Sequence, residues 1–374
     1  MSKTVASYTL YGAEMSYYSG KTRSHLLHKR IPFSEQEASA WDYLVKFPRE
    51  VGCSVVPVVR SPEGAWLQDS SLIIDLLEQR FPAQPAVPAS PVLRFAAYLF
   101  ELWGDEFWLP VAMSTRWSRP EHRPLFVQEI GAGMLPGWPR FLQELAGNRI
   151  ANMMSGFTEK AGFGADMTEV LCRFAHVQLD GLEAHFAQHK FLFGTRPSLG
   201  DYGLIGPLYA HIGRDPLSKR DFIDSRPHVA AWIARMFDPA TSTDGEFFAD
   251  DRLPETLQTA LGSIVDEMIH FIAACADAVR KTPVLDLDAK NPPRFLEKVS
   301  YPMAGATHCR PAPAYAVWQA QRMLKVFNRM AEADQDTVRD WLHGLGASDL
   351  LTLDLPPMRR VGVAAAQVTA TDAD

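Results

Sequence analysis

Residues 55–81, VVPVVRSPEGAWLQDSSLIIDLLEQRF, hold the reading on which the fold turns. VVPVVR is a short β-branched run, Pro62-Glu63-Gly64 supplies turn residues, and AWLQDS follows as a second extended run. β-branched residues pack well on a pleated surface, and Pro and Gly set the dihedrals of a tight turn, so the pair predicts a hairpin. SSLIIDLLEQRF then places apolar residues at helical spacing, with a serine at its start and Pro82 just past its end. Proline inside a strand removes a ladder hydrogen bond. Pro57 therefore marks either an edge strand that tolerates it or a cis bond that turns the Val56 backbone outward, free to pair with an extended peptide.

Toward the N-terminus, SYTLY (7–11) alternates and reads as a first strand. A loop with Gly12 and Gly20 leads to KTRSHLLHKR, a short helix. Phe33 marks a second strand, and WDYLVKF, from Trp41, one or two helical turns. The order is β-α-β-α-β-β-α. PAQPAVPASP (82–91) reads as a linker. Beyond it helical periodicity takes over, with helices expected over 92–108, 167–188, 201–212 and 228–236. The polar stretch 238–251 marks a second boundary. Helices follow over 254–280, 313–330 and 337–345, and then a small-residue tail, 361–374, expected to be disordered.

Composition narrows the function. The 374 residues are enough for two or three units, and 47% hydrophobic content supports a sizeable core. Thirty-seven basic against 44 acidic residues give −7 with no run of either sign. A phosphate-tracking surface clusters its Lys and Arg, so no nucleic-acid partner is expected. The N-terminus lacks the apolar stretch of a signal peptide, and no unbroken apolar run predicts a transmembrane helix. Cys53, Cys172, Cys275 and Cys309 form no CxxC pair and read as free thiols of a reducing cytoplasm. His185 and His189, four apart without an HExxH pattern, read as a solvated helix face rather than metal ligands, and His308-Cys309 as an isolated pair in a loop.

Three places carry chemistry. Ser16 precedes a helix start, where free N–H groups and the helix dipole favour negative charge; its hydroxyl either caps that helix or helps to hold a bound thiol as thiolate. Lowering a thiol pKa of ~8.5 by about two units needs roughly 2.7 kcal/mol of preference for the anion. One hydrogen bond to a charged group supplies about 1.5–3 kcal/mol, and the dipole about 0.3–1 more. Neither a metal nor a buried base is required. Val56-Pro57 is the second place. Gln68-Asp69-Ser70 is the third, either an ordinary helix cap or a site for an amino-acid head, with Asp69 for the ammonium and Ser70 and helix N–H groups for the carboxylate.

With these residues in hand, the sequence resembles the glutathione transferase superfamily. SYYSGKTR (16–23) is similar to the family's Ser/Cys-Pro-x-Ser/Cys-x-Lys-x-Arg pattern, Val56-Pro57 to its cis-proline, and LQDSSLI to its Gln/Glu/Asp-Ser-x-x-Ile signature. FLFGTRPSLGDYGLIGPLY (191–209) resembles a segment of its helical domain, and Ser198 to Asp201 has capping-box spacing. The resemblance implies an α/β thioredoxin-like domain (1–84), an all-α domain (92–240) and, beyond the family's usual length, a helical extension (250–360). It implies glutathione as co-substrate with no metal, and a homodimer. It further implies that Ser16 hydrogen-bonds the sulfur, Val56 beside Pro57 pairs with the cysteinyl part, and Gln68, Asp69 and Ser70 hold the γ-glutamyl end. Tyr17 replaces the motif's proline, and Tyr11 is either the competing thiolate partner or a residue of the strand core. With serines at 16 and 19 in place of the redox cysteines, mixed-disulfide chemistry lacks an agent.

The aromatic stretch 101–117, ELWGDEFWLPVAMSTRW, resembles a segment of bacterial transferase-like proteins. It offers Trp103, Trp108, Arg116 and Trp117 to a hydrophobic electrophile, while the three tryptophans also read as core residues. The expected activity is attack of glutathione thiolate by conjugation, ether or halide displacement, or isomerisation. The alternatives are a non-catalytic glutathione-binding or scaffold protein, and a glutathione-free enzyme using Asp105, Glu106 and Arg116.

Overall fold

The period-two pattern at the N-terminus becomes β1, Tyr8–Gly12, followed by α1, Tyr17–His28, and β2, Phe33–Glu37. A π-helical turn, Asp42–Lys46, runs into α2, Phe47–Val51. The hairpin is β3, Val58–Arg60, and β4, Trp66–Gln68, and it hands over to α3, Ser70–Arg80. The computed structural model describes residues 7–238, 240, 244–285 and 292–373. Sheet order is β2-β1-β3-β4, with β1 parallel to β2 and antiparallel to β3. This is the expected thioredoxin-like arrangement. Alternation divides the residues as a pleat must: Tyr8, Leu10 and Val59 meet Leu26, Ile73 and Leu77 on one face, while Tyr11 and Val58 meet Phe47 on the other.

The helical part begins with α4, Pro91–Leu102, a π-helical turn, Trp103–Phe107, and α5, Leu109–Trp117. Next come α6, Arg123–Met134, α7, Arg140–Lys160, and α8, Thr168–Phe186. It closes with α9, Leu199–Pro207, α10, Pro216–Phe222, and α11, Pro227–Arg235. The capping box at α9 is formed: Ser198 Oγ accepts from Asp201 N–H and Asp201 Oδ2 accepts from Ser198 N–H at 2.8 Å. Sequence periodicity missed α6 and α7, whose glycines weaken the helical pattern. Those glycines let two backbones touch, since a Cβ on Gly147 would lie 2.0 Å from the Val127 carbonyl oxygen. His185 is also corrected. It is buried, contacting Thr256 Oγ1 at 2.8 Å and the Phe191 carbonyl at 3.2 Å, because its face of α8 meets the following segments rather than water.

The extension is not wholly helical. A helical run, Glu255–Arg280, contains α12, Gln258–Ser263, and α13, Ile269–Arg280. Its length and composition would suffice to cross a membrane, yet more than half of its most apolar 18-residue window is buried against the rest of the chain. Then come a hairpin of β5, Phe295–Met303, and β6, Ala306–Pro313, followed by α14, Ala314–Asn328, and α15, Glu332–Gly344. His308 belongs to β6 and not to a loop, with its Nδ1 2.9 Å from the Tyr301 hydroxyl. The tail expected to be disordered instead pairs β7, Met358–Val361, with β8, Ala364–Gln367. Ala364, Ala365 and Ala366 are buried there, small residues that let β8 lie close on α14 and α13. One hydrophobic core runs from Ile74 through the helical part to Ala365, so the extension is packed into the molecule rather than appended to it.

Candidate functional site

The Val56-Pro57 bond is cis, and the β3 ladder begins only at Val58, which leaves Val56 outside it. One cavity of about 160 Å³ opens at this bend. Val55, Val56, Pro57, Gln68, Asp69 and Ser70 form its thioredoxin-side wall. Tyr18, Glu106 and Leu109 come from α1 and the α4–α5 junction, and Arg294, Phe295, Pro313, Tyr315 and Val363 from the extension.

Asp69 is the N-cap of α3, its Oδ1 accepting from Ser71 N–H and Leu72 N–H, each at 3.1 Å. Its Oδ2 accepts from the Tyr315 hydroxyl at 2.5 Å. Arg360 donates to Gln68 Oε1 at 2.7 Å. The extension therefore reaches across the cavity and hydrogen-bonds the recognition turn itself, which no sequence signal announced.

Behind this wall lies a buried charge cluster. Lys21 Nζ meets Ser71 Oγ at 2.9 Å, Glu101 at 2.7 Å and Asp105 at 2.5 Å, with all the side chains out of water. Arg322 of α14 joins Glu101 to Asp75, and Gln319 donates to Ser71 Oγ at 3.1 Å. Burial opposes the Glu101 charge, but Arg322 and Lys21 outweigh it and hold the carboxyl low. Asp105 shares Lys21 with Glu101, and burial pushes it up.

Glu106 is a different case. It is 4% exposed and lines the cavity, and burial pushes its pKa up to about 8 against the attraction of Arg310. The folded chain thus keeps a proton that an unfolded glutamate releases near about 4.3. Where the native state binds more protons, unfolding free energy falls as pH rises, here from about 4.3 to about 8. Glu106→Gln is expected to remove that share of the decline, checked by urea midpoints across the same pH window.

Other expected site residues land elsewhere. Ser16 is the N-cap of α1, accepting from Ser19 N–H at 3.3 Å, and is not on the cavity wall; α1 presents Tyr18 instead. Tyr18 donates to the Asp105 carbonyl at 3.1 Å. Tyr17, at the proline position, donates to the Gly104 carbonyl and so fastens α1 to the π-helical turn. Tyr11 is in the sheet core, stacked on Trp66 at 5.4 Å. Trp103 and Trp108 are fully buried, edge to face at 5.5 Å, because both belong to the central core; neither lines the cavity. Arg116 is tied to Asp215 at 2.8 Å and to the Met15 carbonyl at 2.7 Å, a buried brace between α5, α10 and the loop before α1. With Trp117 it borders a separate cleft of about 170 Å³. Among the described residues no group of three or more His, Cys, Asp and Glu is arranged to hold a metal.

Residues 10–85 match the glutathione S-transferase N-terminal domain family, and residues 178–235 match the glutathione S-transferase C-terminal domain family. The chain belongs to the glutathione transferase superfamily. Solved glutathione transferases resemble it at low identity. One from Methylobacterium radiotolerans JCM 2831, in complex with glutathione sulfonate, is 20% identical over 63% of this chain and 95% of its own, with a TM-score of 0.40. The β-etherase LigF from Sphingobium sp. strain SYK-6 is 19% identical over 61% and 94%, with a TM-score of 0.43. A third, from Methylobacillus flagellatus KT with GSH bound, is 18% identical over 63% and 96%, with a TM-score of 0.36. No curated protein matches the sequence. The residues beyond α11 lie outside the two matched domains.

Proposed function

We propose that this glutathione transferase binds glutathione in the cavity at Val56-Pro57 and directs its thiolate at a hydrophobic electrophile. The observation that carries the reading is the convergence of the cis bend and the capped start of α3 on one cavity wall. An outward Val56 backbone suits the cysteinyl part of an extended tripeptide. Asp69 suits the γ-glutamyl ammonium, and Gln68 with the hydroxyl and N–H of Ser70 at the start of α3 suits its carboxylate. Ser16 accepts a hydrogen bond through its oxygen, so its own proton stays available to a sulfur near the start of α1. Leu109, Phe295, Pro313 and Val363 supply an apolar wall for the electrophile. Conjugation, displacement and isomerisation all share the thiolate step, and the electrophile wall selects among them.

Calorimetric titration with glutathione, with ultraviolet absorbance of the bound thiolate, tests the reading. Ser16→Ala is expected to leave affinity nearly unchanged and to raise the bound thiol's pKa by about 1–2 units, the equivalent of one charged hydrogen bond. A bound thiol that ionises as readily in Ser16→Ala as in the wild type would remove Ser16 from the mechanism. The contacts of Tyr315 with Asp69 and Arg360 with Gln68 favour a second reading, glutathione binding without turnover. Tight binding with no product from a broad electrophile panel would select it.

The proposal includes a homodimer and a cytoplasmic location. Four unpaired cysteines support a reducing compartment. Phe141 and Leu145, one turn apart on α7, are largely exposed, as are Trp41, Leu44 and Trp138; apolar surface of this kind suits a second copy. Light scattering is expected to give the mass of two chains, and Phe141→Glu with Leu145→Glu the mass of one.

A further inference from the structure

Glu106 stands in the π-helical turn Trp103–Phe107, where the widened turn breaks the α-helical spacing. Trp103 and Phe107 on either side go to the core, while Glu106 borders the cavity. Among the described residues its carboxyl has no hydrogen-bond or ion-pair partner, although the residue is almost wholly out of water. The charges facing it are Arg310 on β6, Arg294 just before β5, Asp105 beside it and Asp69 at the start of α3. The titratable hydroxyls and thiol that feel it are Tyr17 and Tyr18 of α1, Tyr315 of α14 and Cys275 of α13. Burial outweighs the two arginines and keeps the carboxyl neutral up to about 8.

Arg310 supplies the complementary half. It is 1% exposed, held over the Phe271 ring at 4.2 Å and the Phe163 ring at 5.2 Å, and its Nε and Nη1 lack hydrogen-bond partners. A fixed cation of this kind stabilises a carboxylate formed nearby without reorganising. Halide leaves as a stable anion and needs no proton, whereas an alkoxide or phenoxide is a strong base and leaves far more readily when protonated. A neutral acid on the wall is therefore of use to a substrate whose leaving atom is oxygen.

We propose that Glu106 is the general acid of this site, giving its proton to the oxygen of a leaving group. The inference rests on the reading that the cavity binds glutathione. As the sulfur's electron pair forms the C–S bond, the C–O bond breaks and its pair moves to oxygen, which takes the proton of Glu106. The products are a thioether and a neutral alcohol or phenol. The carboxylate left at Glu106 faces Arg310 and regains a proton from water.

The test uses the full chain, glutathione and two probes, benzyl phenyl ether, whose phenoxide is strongly basic, and benzyl chloride. Glu106→Gln, which replaces one neutral group with another of the same shape, is expected to lower ether turnover by about 10²–10⁴-fold. The loss on benzyl chloride, corrected for any change in calorimetric glutathione affinity, is expected to be smaller by about tenfold or more. Wild-type ether turnover should decline as pH rises through about 8, and the variant should lack that limb. Infrared spectra at neutral pH should show a protonated-carboxyl band that Glu106→Gln removes. Unchanged ether turnover in the variant with glutathione still bound would overturn the acid alone, as would equal losses on both probes. Absence of glutathione binding in the wild type would overturn the reading beneath it and the acid together.

Discussion

Lys21→Met is expected to destabilise the protein by about 3–5 kcal/mol, the usual loss when one partner of a buried ionic cluster is removed. Lys21 has no exposed surface and its ammonium donates to three groups, Ser71, Glu101 and Asp105. Burial alone would depress its pKa, but Asp105 and Glu101 outweigh that and raise it, so the ammonium is fully charged in the fold. Taking it away leaves Glu101 with Arg322 and leaves Asp105 with no cation in hydrogen-bond range. The damage falls where α1, α3, α4 and α14 meet, since these elements contribute Lys21, Ser71, Glu101 and Arg322. Adding Asp105→Asn to Lys21→Met should recover part of the loss, because the uncompensated charge goes with it. Urea unfolding of the single and double variants measures the coupling; equal midpoints for wild type and Lys21→Met would show that the cluster contributes nothing.

Asp69→Ala should show the largest loss of ligand affinity. Its carboxylate caps α3 through two backbone N–H groups and receives the Tyr315 hydroxyl. Loss of the cap costs about 0.5–2 kcal/mol of stability. Loss of a charged hydrogen bond to the glutathione ammonium removes about 1.5–3 kcal/mol of binding, a fall in affinity of about 10–150-fold. Asp69→Asn separates the two effects. Asparagine has nearly the size and shape of aspartate and keeps an acceptor for the cap, but carries no charge. Stability close to wild type with affinity close to Asp69→Ala is the expected outcome, read by calorimetry and thermal unfolding. Full affinity in Asp69→Asn would remove the ammonium from this site.

The thioredoxin-like half was legible because its signals are local. Alternation at Tyr8 and Leu10, a proline at the head of β3, turn residues at Pro62 and Gly64, and a cap followed by an amphipathic run each depend on neighbours a few residues apart. The capping box at Ser198 was legible for the same reason. Trp103 and Trp108 show the limit of this kind of reading. An aromatic run has the same composition whether it faces a ligand or the core, and only the packing of the π-helical turn on α9, with Phe174 of α8 against Trp108 and Ser263 of the extension against Trp103, turned both rings inward.

The sequence by itself determined the order of elements in the thioredoxin-like half and placed Pro57 and the helix starts beside it, since backbone propensity and capping act over single turns, while the isomer of the Val56-Pro57 bond stayed open. The tertiary structure alone decided what surrounds that bend. Tyr315, Arg360 and Arg310 are more than 200 residues from Asp69, Gln68 and Glu106 in sequence, and no periodicity encodes a contact at such a distance. Ser16 faces the same division, its place at a helix start set locally and its distance from the cavity wall set by how α1 packs. The protonation of Glu106 belongs there too, because it depends on water being excluded by elements from both ends of the chain.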